Sequence, residues 1–451
     1  MNAKHAILWS AAMLGSAAFL AAQQPAPSLP APRTTAAPGQ RAAPGPAMSL
    51  DDLVQHAIAQ HPILAQAQFE IEAAEARAVQ AGKYPNPTVT VGGEEIGPRA
   101  GIHTLPLVSQ EIVTAKKLRW ARAVAEREVD QTFLALASKR FVLVTAVRKA
   151  FVDVITAERR RDVLTARLKE VEKALEEAKK RVQVLPEEGS EIVPLTFQYE
   201  LDRIALELAT SEREYTAAWT RLAAVVGSPG LEAPSAIASP FLDRLPVYAV
   251  HPDARKSQQN LADLRQYVIA NHPEVRFAEV GIAKAEAALG RERAQAVPNI
   301  TLAGGYQRNF NDRAHQATYQ VEVPIPLFNR NKDNIRAAQA EYGRAVREVE
   351  RIELDLSQRL AVAYGEYTTA KLRAAESNRL RAMSKKIYDQ ASTLYFKAGK
   401  LSNFQIIQYQ RQMIDAELEY IRAWGDAWRA ASEIAGLLLD EDWLGTGNNK
   451  N

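Results

Sequence analysis

Histidine is the residue type in this chain whose spacing most suggests chemistry, because a His-Pro pair occurs at two corresponding places. His61-Pro62 and His272-Pro273 each end a similar segment of sequence. An imidazole is the commonest metal ligand in proteins, so one interpretation is a pair of relay sites for a metal ion. The other is structural, because proline ends one helix and suits the first turn of the next. We favour the structural interpretation and predict no metal ligand here.

Other kinds of catalytic or cofactor site lack the residues they need. The chain has no cysteine, which excludes disulfides, thiol catalysis, thiolate metal sites and a lipid-modified N-terminal cysteine. Its seven histidines and five methionines form no ligand-spaced cluster. No phosphate-binding glycine loop, nucleophile elbow or helical pair of metal-binding histidines occurs. Gly92-Gly93 and Gly304-Gly305 lie in strand-like sequence, where glycine eases bends or close packing. The sequence therefore predicts no enzyme and no cofactor.

The charged residues argue against a nucleic-acid partner. The net charge is +3 and 24% of the residues are charged, with both signs interspersed. The basic clusters Arg159-Arg160-Arg161 and Lys179-Lys180-Arg181 lie within acid-rich helical sequence. We interpret them as solvated helix faces.

The elements that position these residues occur twice. The segment from Leu50 to Pro62 returns as the segment from Leu261 to Pro273. A helical run follows each copy, then Pro85-Asn86-Pro87 or Pro298-Asn299, a short β-like stretch and a very long helical pattern. A repeat of roughly two hundred residues is too long for a solenoid unit, so we interpret it as a tandem duplication of one domain.

Each repeat contains a long antiparallel helical hairpin. Ascending helices are predicted over about 116–185 and 334–398, roughly 100 Å each, and they break at 186–190 and 398–402. Helices of the same periodicity then return. Apolar residues recur every 3.5 positions, as in a left-handed coiled coil. The predicted seams are Leu164, Leu168, Val171, Leu175, Ala178 and Val182; Leu201, Ile204, Leu208, Ser211, Tyr215, Ala218, Leu222 and Val225; Ile352, Leu356, Leu360, Ala363, Tyr367, Ala370 and Ala374; and Ile406, Tyr409, Met413, Ala416, Tyr420, Ala423, Ala427, Ala430, Ile434 and Leu437.

Between the short and long helices of each repeat lie two strand-like stretches with period-two alternation. They cover Thr88 to Val91 and Leu105 to Ile112 in the first repeat, and Ile300 to Tyr306 and Thr318 to Ile325 in the second, with a polar loop from Asn309 to Gln316. The strands could form a small cap sheet or part of a membrane barrel. Four strands cannot close a barrel, since about eight is the minimum, so a barrel requires several chains.

The remaining segments complete the predicted domain organisation. Residues 1–22 resemble a secretory signal peptide. A membrane anchor is the alternative, but the apolar run is short for a spanning helix and rich in alanine, so we favour export and removal. Residues 23–47 are predicted to be a Pro/Ala-rich disordered tail. The first repeat then covers 48–227, an inter-repeat linker or equatorial segment 228–260, the second repeat 261–439 and a C-terminal tail 440–451.

Several local motifs resemble the outer-membrane factors of tripartite efflux systems, the TolC-like family. Pro85-Asn86-Pro87-Thr88-Val89 and Glu94-Glu95-Ile96-Gly97 resemble the segment that opens the first strand pair. Ser109-Gln110-Glu111-Ile112, followed by Lys116-Lys117-Leu118-Arg119, resembles the strand end and basic helix start of the CzcC-like cation-efflux branch. Gly399-Lys400-Leu401-Ser402 and Gln408-Tyr409-Gln410-Arg411 resemble the second hairpin turn and its returning helix. The resemblance covers Leu50 to Leu439.

The resemblance implies a mainly α fold with a membrane β part. Three chains would share one twelve-stranded barrel in the outer membrane and one helical tunnel in the periplasm. The implied partners are a periplasmic adaptor and an inner-membrane pump of the RND type driven by proton import, together with outer-membrane lipid. The protein itself would do no chemistry on its substrate.

The same resemblance implies functional residues at the hairpin tips. Gly189, Ser190, Gly399, Lys400, Leu401 and Ser402 match the adaptor-contacting turns, although glycine is also an ordinary helix C-cap. Family members often carry aspartates at the periplasmic entrance, whereas this chain has Gln405 and Gln408 there. Glu187, Glu188 and Glu191 at the first tip either supply negative charge or are solvated turn residues, and we favour the second.

Three functions therefore remain open. The first is an outer-membrane channel for a heavy-metal exporter, and the second is the same channel for drugs or other small molecules. The third is a periplasmic coiled-coil scaffold or adaptor without a barrel.

Overall fold

A computed structural model describes residues 48–94, 101–184, 192–233, 237–238, 261–309, 313–398 and 403–440. Its elements are β1 (Met48–Ser49), α1 (Leu50–Gln60), α2 (Pro62–Ala81), β2 (Thr88–Glu94), β3 (Ile102–Ile112), α3 (Lys117–Val184), α4 (Ile192–Val225), β4 (Ile237–Ala238), α5 (Leu261–Asn271), α6 (Pro273–Gln295), β5 (Ile300–Asn309), β6 (Ala314–Glu322), α7 (Lys332–Ala398) and α8 (Asn403–Leu437). The predicted signal peptide and tail (1–47), most of the inter-repeat segment and residues 441–451 lie outside the described residues.

The duplication is visible in the order of the elements. Each repeat contributes two short helices, two antiparallel strands and two long helices, in the same order. The short helices α1 and α2 meet at His61, and α5 and α6 meet at His272. Proline occupies the first turn of both α2 and α6, as the structural interpretation of the His-Pro pairs predicts.

The long helices agree with the predicted periodicity. α3 spans 68 residues and α7 spans 67, so each is about 100 Å long. Most predicted seam residues are buried, because an apolar stripe at this spacing keeps facing the neighbouring helix. Those buried are Leu164, Val171, Leu175, Ala178, Ile204, Ser211, Ala218, Leu222, Leu356, Leu360, Ala363, Tyr367, Ala370, Ala374, Ile406, Met413, Tyr420, Ala423, Ala427, Ala430, Ile434 and Leu437.

Helix α3 changes neighbours along its length. Near the sheet it packs between α2 and α6, where its Lys139 ammonium lies 2.8 Å from Glu70 of α2. Further from the sheet it packs between α4 and α8, and its Lys149 ammonium lies 2.9 Å from Glu433 of α8. α7 packs against α6 and then against α8. The helices therefore lie side by side in a layer, in the order α4, α3, α8, α7 away from the sheet.

Two glycines of α8 bring it very close to α3. A Cβ placed at Gly425 would lie 2.6 Å from Thr156 Oγ1, and one at Gly436 would be 3.2 Å from Thr145 Cβ. The glycines and the threonines are both eleven residues apart, as expected for antiparallel helices that touch at two points three turns apart.

The largest core lies where α1 and α5 cover this layer. Leu53 of α1, Phe151 of α3, Leu264 of α5 and Trp424 of α8 belong to one buried cluster. The start of the inter-repeat segment packs beside this cluster, where the Trp219 indole N–H donates a hydrogen bond to the Leu231 carbonyl at 2.8 Å. β4 then pairs in parallel with β1.

The four longer strands form one antiparallel sheet in the order β2-β3-β5-β6. β6 ends at Glu322, so the prediction that it reaches Ile325 was wrong. The strand stops because Pro324 has no backbone N–H to donate to a neighbouring strand. The predicted loop from Asn309 to Gln316 was too long, because β6 already begins at Ala314.

Strand β3 carries a bulge at Pro106-Leu107, and Gly305 of β5 lies opposite. A Cβ added at Gly305 would be 3.0 Å from the Leu107 Cα, so a glycine at this position leaves room for Leu107.

Candidate functional site

The sheet has one apolar and one polar face. Val89, Val108, Gly304 and Tyr319 align across its four strands, and the next residues along the strands, Thr88, Ser109, Ala303 and Gln320, align on the other face. Tyr319 is 87% exposed and Val89 is 64% exposed, so the apolar face is uncovered in the single chain. Apolar-out, polar-in alternation of this kind is typical of strands that separate lipid from a wet interior.

A polar hub ties the sheet to the helices. Asn299, just before β5, accepts from the Thr114 backbone N–H at 3.2 Å and from the Lys117 ammonium. Its amide nitrogen donates to Glu111 at 2.6 Å, while the Thr114 hydroxyl donates to the Pro298 carbonyl at 2.6 Å. Lys117, the first residue of α3, is 6% exposed, and this burial lowers the pKa of its ammonium while nearby Glu111 opposes the shift.

We expect Asn299→Ala to destabilise the fold by about 1–3 kcal/mol, because the buried ammonium of Lys117 and the partly buried N–H of Thr114 lose their acceptor. Urea unfolding in detergent, followed by far-ultraviolet circular dichroism, measures the change. Asn334→Ala is the matched control, since the Asn334 amide makes an exposed hydrogen bond and its loss should cost less than about 0.5 kcal/mol. Equal losses of stability in the two variants would show that the hydrogen bonds of Asn299 do not contribute specially to the stability of the fold.

The two histidines of the His-Pro pairs act as helix N-caps. Nδ1 of His61 accepts from the Ile63 N–H, and Nδ1 of His272 accepts from the Glu274 N–H, both at 3.2 Å. Burial, helped by the Arg359 cation, lowers the pKa of His272 against the opposing charge of Glu274, and this shift favours the neutral ring whose Nδ1 can accept. Among the described residues, no group of three or more His, Asp or Glu side chains is arranged to hold a metal ion.

A buried ion pair joins the two hairpins on the side away from the sheet. The Glu200 carboxylate of α4 is 3% exposed and contacts the Arg411 guanidinium of α8. Arg203, one turn along α4, lies 3.3 Å from the same carboxylate. Val171, Ile204 and Ile414 pack together in a small apolar cluster shared by α3, α4 and α8. These contacts hold α4 and α8 in one arrangement.

Few of the predicted site residues fall within the described ranges. Glu187, Glu188, Gly189, Ser190 and Glu191 of the first tip, and Gly399, Lys400, Leu401 and Ser402 of the second, lie outside them. Gln405 and Gln408 are on the first turns of α8 and both are exposed. Between them Ile406 and Ile407 are buried against Leu175 and Phe197, which places the start of α8 firmly against the first hairpin.

The sequence analysis missed the residues that join the repeats. Asn299, Glu200 with Arg411, and the glycines of α8 all act across elements distant in sequence. One signal was present, because Pro-Asn occurs before the first strand of each repeat. Within the described ranges, no helix has the length and hydrophobicity to cross a membrane.

The chain is similar to known proteins over almost its whole length. The family model "Outer membrane efflux protein" matches residues 53–228 and 264–438. The cobalt-zinc-cadmium resistance protein CzcC of Cupriavidus metallidurans is 23% identical over 404 residues, which cover 88% of this chain and 91% of the relative.

Solved structures share the fold. A membrane protein from Pseudomonas aeruginosa has 19% sequence identity and a TM-score of 0.70, covering 86% of this chain and 93% of that one. CusC, described for its transmembrane channel formation, has 17% identity and a TM-score of 0.70, covering 87% of this chain and 92% of that one.

The family match and the solved structures agree with the paired helical hairpins and with the four-stranded sheet and its two unlike faces. They favour the channel over the periplasmic scaffold or adaptor considered above. The chain belongs to the outer membrane efflux protein family: it is an outer-membrane channel component of a tripartite efflux system and not an enzyme.

Proposed function

We propose that this protein is the outer-membrane channel of a heavy-metal exporter, and that it passively conducts heavy-metal cations from the periplasmic pump and adaptor to the outside. The observation that carries the proposal is the similarity to CzcC, a cobalt-zinc-cadmium resistance protein, over 88% of this chain. The match includes both repeats, so it is a likeness of the whole channel component.

The polar face of the sheet supports passage of a hydrated cation. Thr301 stands between Glu111 of β3 and Glu322 of β6 in one row across the sheet. Hydroxyl and carboxylate oxygens form hydrogen bonds with water, and a carboxylate also attracts a cation that keeps its water shell. With the apolar face toward lipid, this row would line the wet interior where the sheet meets the helices.

In the proposed assembly, three copies of the chain share the barrel and the helical tunnel. The hairpin turns at Gly189-Ser190 and Gly399 to Ser402 contact a periplasmic adaptor, which links the channel to an RND-type pump in the inner membrane. Gln405 and Gln408 then lie close to the entrance. Their exposure on α8 is consistent with this position, and their neutral amides make the entrance less acidic than an aspartate ring would.

The proposed route to the outer membrane is export with removal of residues 1–22. The mature chain would be held by its barrel and not by a lipid, because the sequence has no cysteine to carry one.

Growth on a panel of metals, dyes and antibiotics tests the substrate. The gene is deleted in a strain that lacks its other channels of this family, and it is restored from a plasmid as the control. We expect sensitivity to one or more of Zn, Co, Cd, Ni and Cu, reversed by the plasmid.

Sensitivity to dyes or antibiotics alone would refute the metal proposal and favour export of small organic molecules. Unchanged growth on every compound would refute both. Intracellular metal content, measured by mass spectrometry in the deleted and restored strains, distinguishes lost export from a general weakness of the envelope.

A further inference from the structure

Basic side chains replace apolar ones at the end of the sheet that lies away from the helices. Exposed residues alternate with less exposed ones along β5, and the exposed ones are Leu302, Gly304, Tyr306 and Arg308. Arg308 therefore lies on the apolar face of the sheet. Strand β6 places His315 directly opposite Arg308, and the register between the two strands has no bulge. Both residues thus stay on the apolar face up to the turn.

Arg308 and His315, together with Arg313 in the turn just before β6, form what we call the basic patch. All three residues are exposed. From 308 to 315 the sequence has two arginines and one histidine against a single acid, Asp312, so the segment is positively charged. The His315 ring stacks on the Tyr306 ring, with centroids 5.5 Å apart. This stacking holds the imidazole in one orientation beside Arg308.

The order of side chains along this face matches the layers of a membrane. Val321 lies six residues from His315, about 20 Å along the strand and about 15 Å along the membrane normal at a tilt of about 40°. Val323 and Ile325 are also exposed and extend the apolar residues the other way. Tyr306, 41% exposed, lies between the apolar residues and the basic patch, as aromatic residues do where hydrocarbon meets headgroups. The basic patch therefore lies at the level of lipid headgroups.

We propose that the basic patch binds the phosphate groups of lipid A, the phosphorylated glycolipid of the outer leaflet of the outer membrane. The proposal rests on the channel assembly proposed above, in which the apolar face of the sheet meets lipid and the helices lie in the periplasm. The end of the sheet away from the helices then meets the outer leaflet, where lipid A is found.

The chemistry of the basic patch suits a phosphate. A guanidinium binds phosphate through two parallel hydrogen bonds, and an imidazole N–H donates in either protonation state. Opposed residues in antiparallel strands have Cα atoms about 4.5–5.5 Å apart, so one phosphate can contact both Arg308 and His315. Arg313 is placed for a second phosphate, and lipid A carries phosphates at both ends of its sugar backbone. Tyr306 and Tyr319 provide surface for the acyl chains.

Binding of lipid A to the purified protein tests the proposal. The full chain is purified in detergent, stripped of bound lipid and titrated with lipid A, and native mass spectrometry gives the dissociation constant. One comparison lipid is lipid A without its phosphates, which keeps the acyl chains. The other is phosphatidylglycerol, which is anionic but has a different headgroup. We expect lipid A to bind roughly tenfold more tightly than either, because only lipid A offers phosphates to both arginines.

Two double variants test the residues. Arg308→Ala/Arg313→Ala should raise the dissociation constant of lipid A roughly tenfold, because the charged hydrogen-bond donors are lost. The matched control is Arg330→Ala/Arg336→Ala, which also removes two exposed arginines but at the end of the sheet near the helices. The control should change the dissociation constant by less than about twofold, since those arginines lie far from the outer leaflet. Both variants should keep the far-ultraviolet circular dichroism spectrum of the natural chain.

Equal binding of lipid A with and without its phosphates would overturn the proposal, as would equal weakening by the two double variants. Equal binding of phosphatidylglycerol would overturn the assignment to lipid A. The comparison of lipids uses the natural chain, so it remains decisive if a variant does not reach the membrane.

The growth test keeps these outcomes separate from the proposed function. Phosphate-dependent binding of lipid A by a protein whose deletion leaves metal tolerance unchanged would refute only the metal substrate. Metal sensitivity of the deleted strain, without any preference of the protein for lipid A, would refute only the role of the basic patch.

Discussion

Gly436→Ala should destabilise the folded protein by about 1–3 kcal/mol, the usual cost of overpacking a filled interface. The added Cβ would overlap Thr145 Oγ1 and lie 3.2 Å from both Thr145 Cβ and Cγ2, so the Thr145 side chain must rotate or α3 and α8 must separate. Gly436 lies in the groove between α8, α3 and the start of α6, and so the change also disturbs the junction of the repeats. Urea unfolding in detergent measures the loss of stability.

Gly343→Ala is the matched control because it also replaces a glycine inside a long helix. A Cβ at Gly343 meets nothing within 4 Å in the chain, so the better helix propensity of alanine should stabilise by about 0.5–1 kcal/mol. Thr145→Ala should partly restore the Gly436→Ala variant. Stabilisation by both glycine substitutions would show that the helices are not in close contact.

Arg411→Ala should have a still larger effect, about 3–5 kcal/mol, because it leaves a buried carboxylate without its partner on α8. Glu200 is 3% exposed, so water cannot replace the lost guanidinium without a change in packing. The remaining Arg203, at 3.3 Å, comes from the same helix and cannot hold α4 and α8 together. Thermal unfolding of the purified protein measures the loss.

Two further variants separate the buried pair from a general effect of removing arginine. Arg347→Ala removes an exposed arginine that is 2.7 Å from Glu350, and should change the stability very little because water screens the pair. Glu200→Gln combined with Arg411→Ala should recover much of the stability, because no buried charge remains. A double variant as unstable as Arg411→Ala alone would show that the arginine acts through packing and not through the charge pair.

The periodic parts of the fold could be predicted from the sequence. An apolar residue every 3.5 positions determines which helix face is buried, so Leu356, Leu360 and Ala363 were identified without knowledge of their partners. Alternation with period two similarly identified the strands and their faces. The duplication added the order of elements, since whatever one repeat forms the other forms as well.

Pairings between distant elements could not be predicted in the same way. Glu200 adjoins the predicted seam residue Leu201, and nothing local indicates that Arg411 lies opposite. The equal spacing of Gly425 and Gly436 and of Thr145 and Thr156 is present in the sequence, but it has meaning only when α3 and α8 are known to be neighbours. The end of β6 was misjudged because alternation continues through Pro324, where hydrogen bonding stops. The roles assigned to the hairpin tips stay predictions.

The change of neighbours along α3 has a mechanical consequence. α3 and α7 are unbroken helices of 68 and 67 residues. α4 and α8 instead end at Val225 and Leu437, and each is followed two residues later by a left-handed residue, Gly227 or Leu439. A Cβ at Gly227 would lie 3.2 Å from the His61 ring, which shows how closely the end of α4 approaches the start of α2. α3 and α7 are therefore the continuous helical connections between the far ends of the hairpins and the sheet. A force applied at one end of either helix reaches the other end without crossing a turn of the chain.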